Sequence, residues 1–490
     1  TVASHQLTAS VNHIQSDNDY RYSVPQSFDN SQVSANEPLR NNQFRKTTVF
    51  VSDAFGPEQA QTRVNGQFNS QKKAQPNYQN NSPEQASSLE NRNFRLGVEQ
   101  SWLRPFSQSS PAIHFDGHWF EQEETFLDRP FENQHDEYRY KSQQAYIQFR
   151  APWSSTTSGK MNWQINPYLN LNHQTFDSAS AVNGNRPICN GIQTCDVTAE
   201  QQLVNLGTRV NWQLAPESVS VHFLYNHLVA RNENSLKYTA QPERISDHFD
   251  YDSAELNFQY RLEDHNLSLH SAKGIRIPTM AELFGDRGSF KGNERLEAEQ
   301  SQAVTLNSHA FWPIFSIQNS LYYQEIDNTI VAIFNARGIG RFENVAESKT
   351  WGLATSARYQ VTSKLTLSGH FDWLGTKTSS PFVAFDNKHL PGIYHNQLQL
   401  KLDYDLSAEW QFSFAYKQDG DLYFDRANKI SSRSHFNTDR ETTDIAIIWQ
   451  KHGYMAKLNI QNLLDHTYYD LANRPAEGRN IQLKFIIKEF

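Results

Sequence analysis

Residues 160–172, KMNWQINPYLNLN, are apolar at every odd position: Met161, Trp163, Ile165, Pro167, Leu169 and Leu171. Every even position is polar or amphipathic: Lys160, Asn162, Gln164, Asn166, Tyr168, Asn170 and Asn172. A strand turns alternate side chains to opposite faces, so this stretch has one greasy face and one wet one. The same period returns through the chain. It puts Val204, Leu206, Val210, Trp212 and Leu214 on one face, and Leu256, Phe258, Tyr260 and Leu262 on another. Further in-phase runs are Trp351–Val361, Leu365–Gly375 and Leu398–Leu406. About 20 such segments can be marked, each near the length of a tilted membrane strand.

The connections decide which solvent the greasy faces meet. They alternate between short and long. Tight links fall at 215–218, 263–265, 312–313, 362–363, around Ser407, and at 451–453. Long polar stretches fall at about 14–43, 69–91, 122–135, 173–201, 230–252, 275–300, 377–394, 419–438 and 464–478. A soluble all-β domain has no reason to lengthen every second connection. An outer-membrane barrel does, with short periplasmic turns and long extracellular loops. In that frame Trp163, Trp212, Trp410, Trp449 and Tyr454 fall near the periplasmic side, and Trp351 and Trp373 near the outer side. Two belts of amphipathic rings are what a bilayer interface selects. Composition agrees: 37% of residues are apolar and 13% aromatic. No apolar run approaches the roughly 18 residues of a spanning helix. The expected fold is therefore all-β, a transmembrane antiparallel β-barrel over 1–490 with a wet lumen.

Other function classes find little support. The formal charge is -8, with Lys and Arg dispersed, so nothing marks a nucleic-acid partner. There is no nucleophile elbow and no metal-ligand motif, so no enzyme, resident metal or cofactor is expected. Cys189 and Cys195, in RPICNGIQTCDV, are spaced for a small disulfide clamping a loop, which needs an oxidising compartment.

Three stretches resemble the TonB-dependent outer-membrane receptor family. GIRIPTMAELFGDRGSFKGNERLEAEQS (274–301) is similar to the family's barrel signature, through Arg276, Pro278, Glu282, Leu283, Asn293, Leu296, Glu299 and Ser301. Glu294 and Ala298 stand where the family has prolines. Residues 322–360 resemble the family's long strand pair, with the step Glu343-Asn344-Val345. Residues 459–470 with 477–490 resemble its closing hairpin and terminal aromatic, although Phe490 is one residue out of phase with Ile481, Leu483, Phe485 and Ile487. The resemblance implies 22 strands, two more than the alternation marks. It also implies an N-terminal plug and a TonB-contacting segment, neither visible ahead of the first strand-like stretch, TVASHQLTASVNH. The plug is expected as a separate or cleaved chain, or as a part of the protein outside this sequence.

The implied function is active uptake of a metal chelate across the outer membrane of a Gram-negative bacterium. The implied partners are the plug, the TonB-ExbB-ExbD energy-transducing complex, and outer-membrane lipid and lipopolysaccharide. A ferric siderophore, cobalamin or haem would be the ligand. Residues 274–301 hold no His, which family haem receptors often have there, and the barrel is nearer cobalamin-receptor size. Tyr238, Phe249 and Tyr251 are candidates to stack on the chelate. His135 with EQEETF (121–126) could hold a divalent cation, or simply be a solvated loop. The competing reading is a plugless barrel serving as a channel or as housing for a partner protein.

Overall fold

The computed structural model describes residues 5–18, 21–25, 33–57, 59–77, 81–103, 112–156, 162–186, 196–215, 218–238, 244–285, 290–334, 340–434, 438–471, 474–476 and 478–487. The alternating segments become twenty long strands. The first ten are β1 (Gln6–Ser16), β2 (Phe44–Phe55), β3 (Ala60–Ala74), β4 (Ser88–Trp102), β5 (Ile113–Asp128), β6 (Asp136–Arg150), β7 (Asn162–Val182), β8 (Val197–Ala215), β9 (Val219–Leu236) and β10 (Arg244–Arg261). The rest are β11 (His265–Arg276), β12 (Glu299–Phe311), β13 (Phe315–Phe334), β14 (Gly340–Gln360), β15 (Leu365–Ser379), β16 (Asn396–Asp405), β17 (Trp410–Gly420), β18 (Arg440–Lys451), β19 (Tyr454–Gln461) and β20 (Asn480–Ile487). Each pairs antiparallel with the next. Two short segments bring the sheet to 22 strands: Trp153–Thr156 at the foot of β7, and Phe290–Lys291 beside β14. This is the all-β, antiparallel membrane barrel that the alternation predicts. Among the described residues no helix is long and apolar enough to cross a membrane.

The two faces part as expected. On β8 the even-numbered Val204 and Leu206 point outward, and Leu206 is 58% exposed. On β7 the odd-numbered Ile165 and Leu171 do the same. Inward-facing amides bond across strands: Gln148 Nε2 donates to Asn170 Oδ1 at 2.8 Å, and Gln201 Nε2 to Asn232 Oδ1 at 3.0 Å. That ladder accounts for the abundance of Asn and Gln, since a wet lumen rewards side chains that both donate and accept. At the periplasmic edge Trp163 lies opposite Trp212, and Trp410 opposite Trp449, with Tyr454 exposed beside them. At the outer edge Trp351 lies over Gly375, and Trp373 opposite Leu353. Trp351 and Tyr359 are eight residues apart on β14, about 26 Å along a strand, which suits the apolar band of a tilted barrel strand.

The strands outrun the hydrophobic signal. β7 and β14 have 21 residues each and β13 has 20. Stretches read as loop, such as 122–128, 173–182 and 230–236, are the upper parts of strands. Above the bilayer both faces are wet, so the ladder continues after the period-2 contrast has faded. The sheet is shortest near its end, where β19 and β20 have 8 residues each.

Among the described residues β1 pairs only with β2, and β20 only with β19. Val11 on one margin is 74% exposed and Phe485 on the other 71%, because each strand has a single neighbour. Unpaired backbone groups are costly in hydrocarbon, so these margins are the least self-sufficient part of the sheet.

Candidate functional site: the lumen mouth

The connection after β11 turns inward. Pro278 is buried and leads into a one-turn helix, α1 (Met280–Phe284). Thr279 caps it: its hydroxyl accepts from the Glu282 N–H at 3.3 Å, while Glu282 Oε2 accepts from the Thr279 N–H at 2.8 Å. The T-x-x-E pattern of this capping box stands in the sequence but was not read above as a helix start. Met280 and Leu283 are buried, and Met280 packs on Phe176, Val197 and Ala199. Those three have the lumen-facing parity of β7 and β8, so α1 sits inside the mouth. Phe284, Tyr140 and Leu236 flank the same apolar seat.

The signature residues hold this segment in place. Arg276 Nη1 donates to both carboxylate oxygens of Glu282, at 3.0 and 2.9 Å, and Arg276 Nε to Glu299 Oε2 at 2.5 Å. Glu299 Oε1 also accepts from the Ile330 N–H at 2.7 Å, which ties the cluster to β13. Asn293 Nδ2 donates to the Phe342 carbonyl at 3.0 Å, and its Oδ1 accepts from Arg341. Leu296 is buried. Asn344 exchanges hydrogen bonds with Glu297, accepting from its N–H at 2.9 Å and donating to its carbonyl at 3.1 Å. A charge-assisted contact such as Arg276–Glu282 is strong and directional. Its work here is to fasten a loop across the mouth.

A second fastening lies where residues 380–395 meet 421–434. His389 stacks on Tyr423 with ring centroids 5.0 Å apart and stands edge-on to His395 at 4.8 Å. His395 Nδ1 donates to the Asp421 carbonyl at 2.7 Å, and its Nε2 accepts from Thr376 Oγ1 at 2.7 Å. Asn428 bonds the backbone of His389 in both directions, and the Arg426 guanidinium lies 4.4 Å over Phe385. Burial, and then the neighbouring His395, push the His389 imidazole below its ordinary range. No sequence pattern marked this cluster, because its members come from separate loops.

Of the candidate ligand aromatics, Phe249 and Tyr251 are brought together, stacked at 6.1 Å with parallel rings. They have the parity opposite to the lipid-facing Leu256 and Phe258, so they face the lumen. Tyr238 stands apart, beyond β9, under the Arg186 guanidinium at 5.3 Å. The acidic run EQEETF is strand rather than loop: Glu121 pairs with Lys141 on the outside, and Glu124 is buried on the inside. His135 bonds through its backbone to Asn183. No metal-holding group of three or more His, Cys, Asp or Glu occurs among the described residues. Cys189, Cys195 and the terminal Phe490 lie outside them.

Residues 3–463 match the family described as "TonB dependent receptor-like, beta-barrel". The chain belongs to that family. No curated protein sequence matches it. Solved structures of similar fold include the siderophore receptor PiuA from Acinetobacter baumannii, with a TM-score of 0.74 and 13% identity over 99% of this chain and 78% of that one. The ferric citrate transporter FecA gives 0.76 and 11% over 92% and 71%. The copper transporter OprC gives 0.74 and 12% over 98% and 75%. This TonB-dependent receptor barrel is thus a protein of the Gram-negative outer membrane. The residues that resemble the family's barrel signature are the ones that fasten the mouth loop described above.

Proposed function

We propose that the barrel is the receptor part of an energised transporter that takes up a metal chelate, with a ferric siderophore first and cobalamin or haem as the other candidates. The observation that carries this is the family match over residues 3–463, joined to a mouth narrowed by an anchored inward loop and faced by the Phe249–Tyr251 pair. Stacked aromatics offer flat polarisable faces to a planar or aryl chelate. Solved relatives named for ferric citrate, ferric yersiniabactin and copper support the same class of cargo. A barrel this wide is unselective unless filled. The reading therefore includes a plug domain and the TonB-ExbB-ExbD complex as the energy source acting through it. It includes no catalytic step, and it takes Cys189 and Cys195 as a loop disulfide. The family match favours it over an open channel.

The test is growth of a deletion strain on single sources of iron chelates, haem or cobalamin, with and without this gene. Rescue on one source that also depends on TonB supports the reading. Equal growth on every source, or rescue independent of TonB, rejects it.

A further inference from the structure

At the periplasmic foot of the wall, cations face the lumen with nothing to hold. Arg150 and Arg261 end β6 and β10, Arg358 lies near the end of β14, and Arg209 is on the lower part of β8. Lys457 and Lys484 lie opposite each other on β19 and β20. Their parity is opposite to that of the lipid-exposed Phe149, Leu206, Tyr260, Tyr359, Tyr454 and Phe485, so all of them point inward. None of these cations makes an ion pair among the described residues. The carboxylates of the same zone are already engaged. Glu99 meets Arg63 at 3.7 Å, Asp116 meets His118 at 2.7 Å, and Glu255 meets His270 at 3.8 Å. Asp403 meets Lys401 at 2.7 Å, and Asp405 accepts from Gln411 Nε2 at 3.1 Å.

Two hollows open in this zone, and neither has a carboxylate among its described lining residues. One of about 290 Å³, at the foot of β8 to β12, sets Arg261 and His309 among Gln213, Ser220, Gln259 and Asn307. The other, of about 340 Å³ at the foot of β13 to β16, sets Arg358, His370 and Lys401 among Gln318, Ser356 and Gln399. Each therefore offers donors and positive charge, with Arg261 and Arg358 as the unpaired guanidinium groups.

The spread of the cations decides what meets them. They run from β6 to β20, along a wall too wide for one small guest to touch them together. Screening over about 8 Å leaves each to act alone in an open lumen. A body that fills the lumen strips water from all of them at once. A cation buried without a partner is costly, so a neutral or basic flank would be rejected.

We propose that the protein domain filling the lumen presents an acidic flank to the periplasmic foot of the wall, and that the two hollows seat its Asp or Glu side chains. Arg261 and Arg358 donate to those carboxylates through paired N–H groups, and the lining amides and hydroxyls complete the shell. The inference rests on the reading of a filled lumen and deepens it by naming the charge of the filling surface. It does not depend on which chelate is carried.

The test keeps the protein in intact outer membranes. Arg261→Lys and Arg358→Lys preserve the charge and supply an amine to a zero-length carbodiimide, which joins amine to carboxylate only on direct contact. Mass spectrometry is expected to find positions 261 and 358 joined to Asp or Glu of polypeptide other than residues 1–490. Arg139→Lys, on the outward face, should gain no such link. Charge reversal, Arg261→Glu/Arg358→Glu, is expected to raise sensitivity to a large glycopeptide antibiotic roughly tenfold. Lys in place of the linked carboxylate should then restore exclusion. Links only to the barrel's own carboxylates, or no links, overturn the proposal, and so does unchanged sensitivity of the reversed variant. A wild type that already admits the antibiotic has an open lumen, and the reading of a filled lumen then falls as well. Failed growth rescue with the links present would sink only the choice of cargo. Should the reversed variant insert poorly, the charge-preserving Lys variants carry the comparison alone.

Discussion

Trp351 keeps its height at the outer rim because Gly375, directly across from it, has no side chain. A Cβ at 375 would overlap the indole ring. Tyr168 lies over Gly207 on the lumen face, and Tyr322 over Gly352, in the same way. Each glycine here marks a place where a large ring lies flat along the neighbouring strand. Gly375→Ala is expected to push Trp351 off the sheet and destabilise the barrel by about 1–3 kcal/mol. A lower temperature for loss of the compact band on unheated gels, with a shifted tryptophan emission, would register it. His389 gives a prediction with a sign. The folded mouth holds its imidazole below the ordinary 6.5, so the unclasped form binds the proton more readily. The clasp is fully stable above about pH 6.5 and weakens as the pH falls below it, levelling off under the lowered folded value. His395 repels the new charge and Asp421 partly offsets it. Protection factors in 380–395, corrected for the pH dependence of intrinsic exchange, should therefore be lower at pH 5 than at pH 7.5, and His389→Gln should flatten most of that difference.

At the scale of the element, the inward loop depends on one guanidinium. Arg276→Ala leaves Glu282 and Glu299 facing each other without their cation, at a cost on the order of 1–3 kcal/mol. The loop should come loose while the barrel stays folded. Trypsin cutting at 287–295 would then speed up in the variant, with the compact band unchanged on unheated gels. Strands were legible wherever one face met lipid, as in 160–172 and 204–214. They were illegible in 173–182 and 230–236, where both faces meet water and only the backbone ladder maintains the extended form. The mouth was partly legible. The T-x-x-E box at 279–282 and the charged signature residues stand in the sequence, but their pairing across 276, 282 and 299 needed the fold. The His389–Tyr423–His395 cluster was not legible at all, since neither residue spacing nor charge links two loops that meet only in space.

Taken whole, the molecule sorts its residues by solvent, so polar substitutions one position apart should have opposite consequences. Leu206→Arg puts a charge on the lipid face near mid-height and is expected to cost about 2–4 kcal/mol, read as loss of folded barrel from the membrane fraction. Asn205→Gln, inside the lumen, should insert normally. The alternation and the alternating link lengths made this arrangement legible, and the family match agrees with it. The unequal strand lengths have a further consequence. From β3 to β10 the wall stands 15 to 21 residues tall, whereas from β16 to β20 it is 8 to 12. The rim is bevelled, with a stiff hydrogen-bonded shield on the tall side and jointed loops above the low one. For the proposed uptake of a chelate, the low sector is where a swinging loop would meet least resistance from the ladder, and the tall sector is the wall it would close towards.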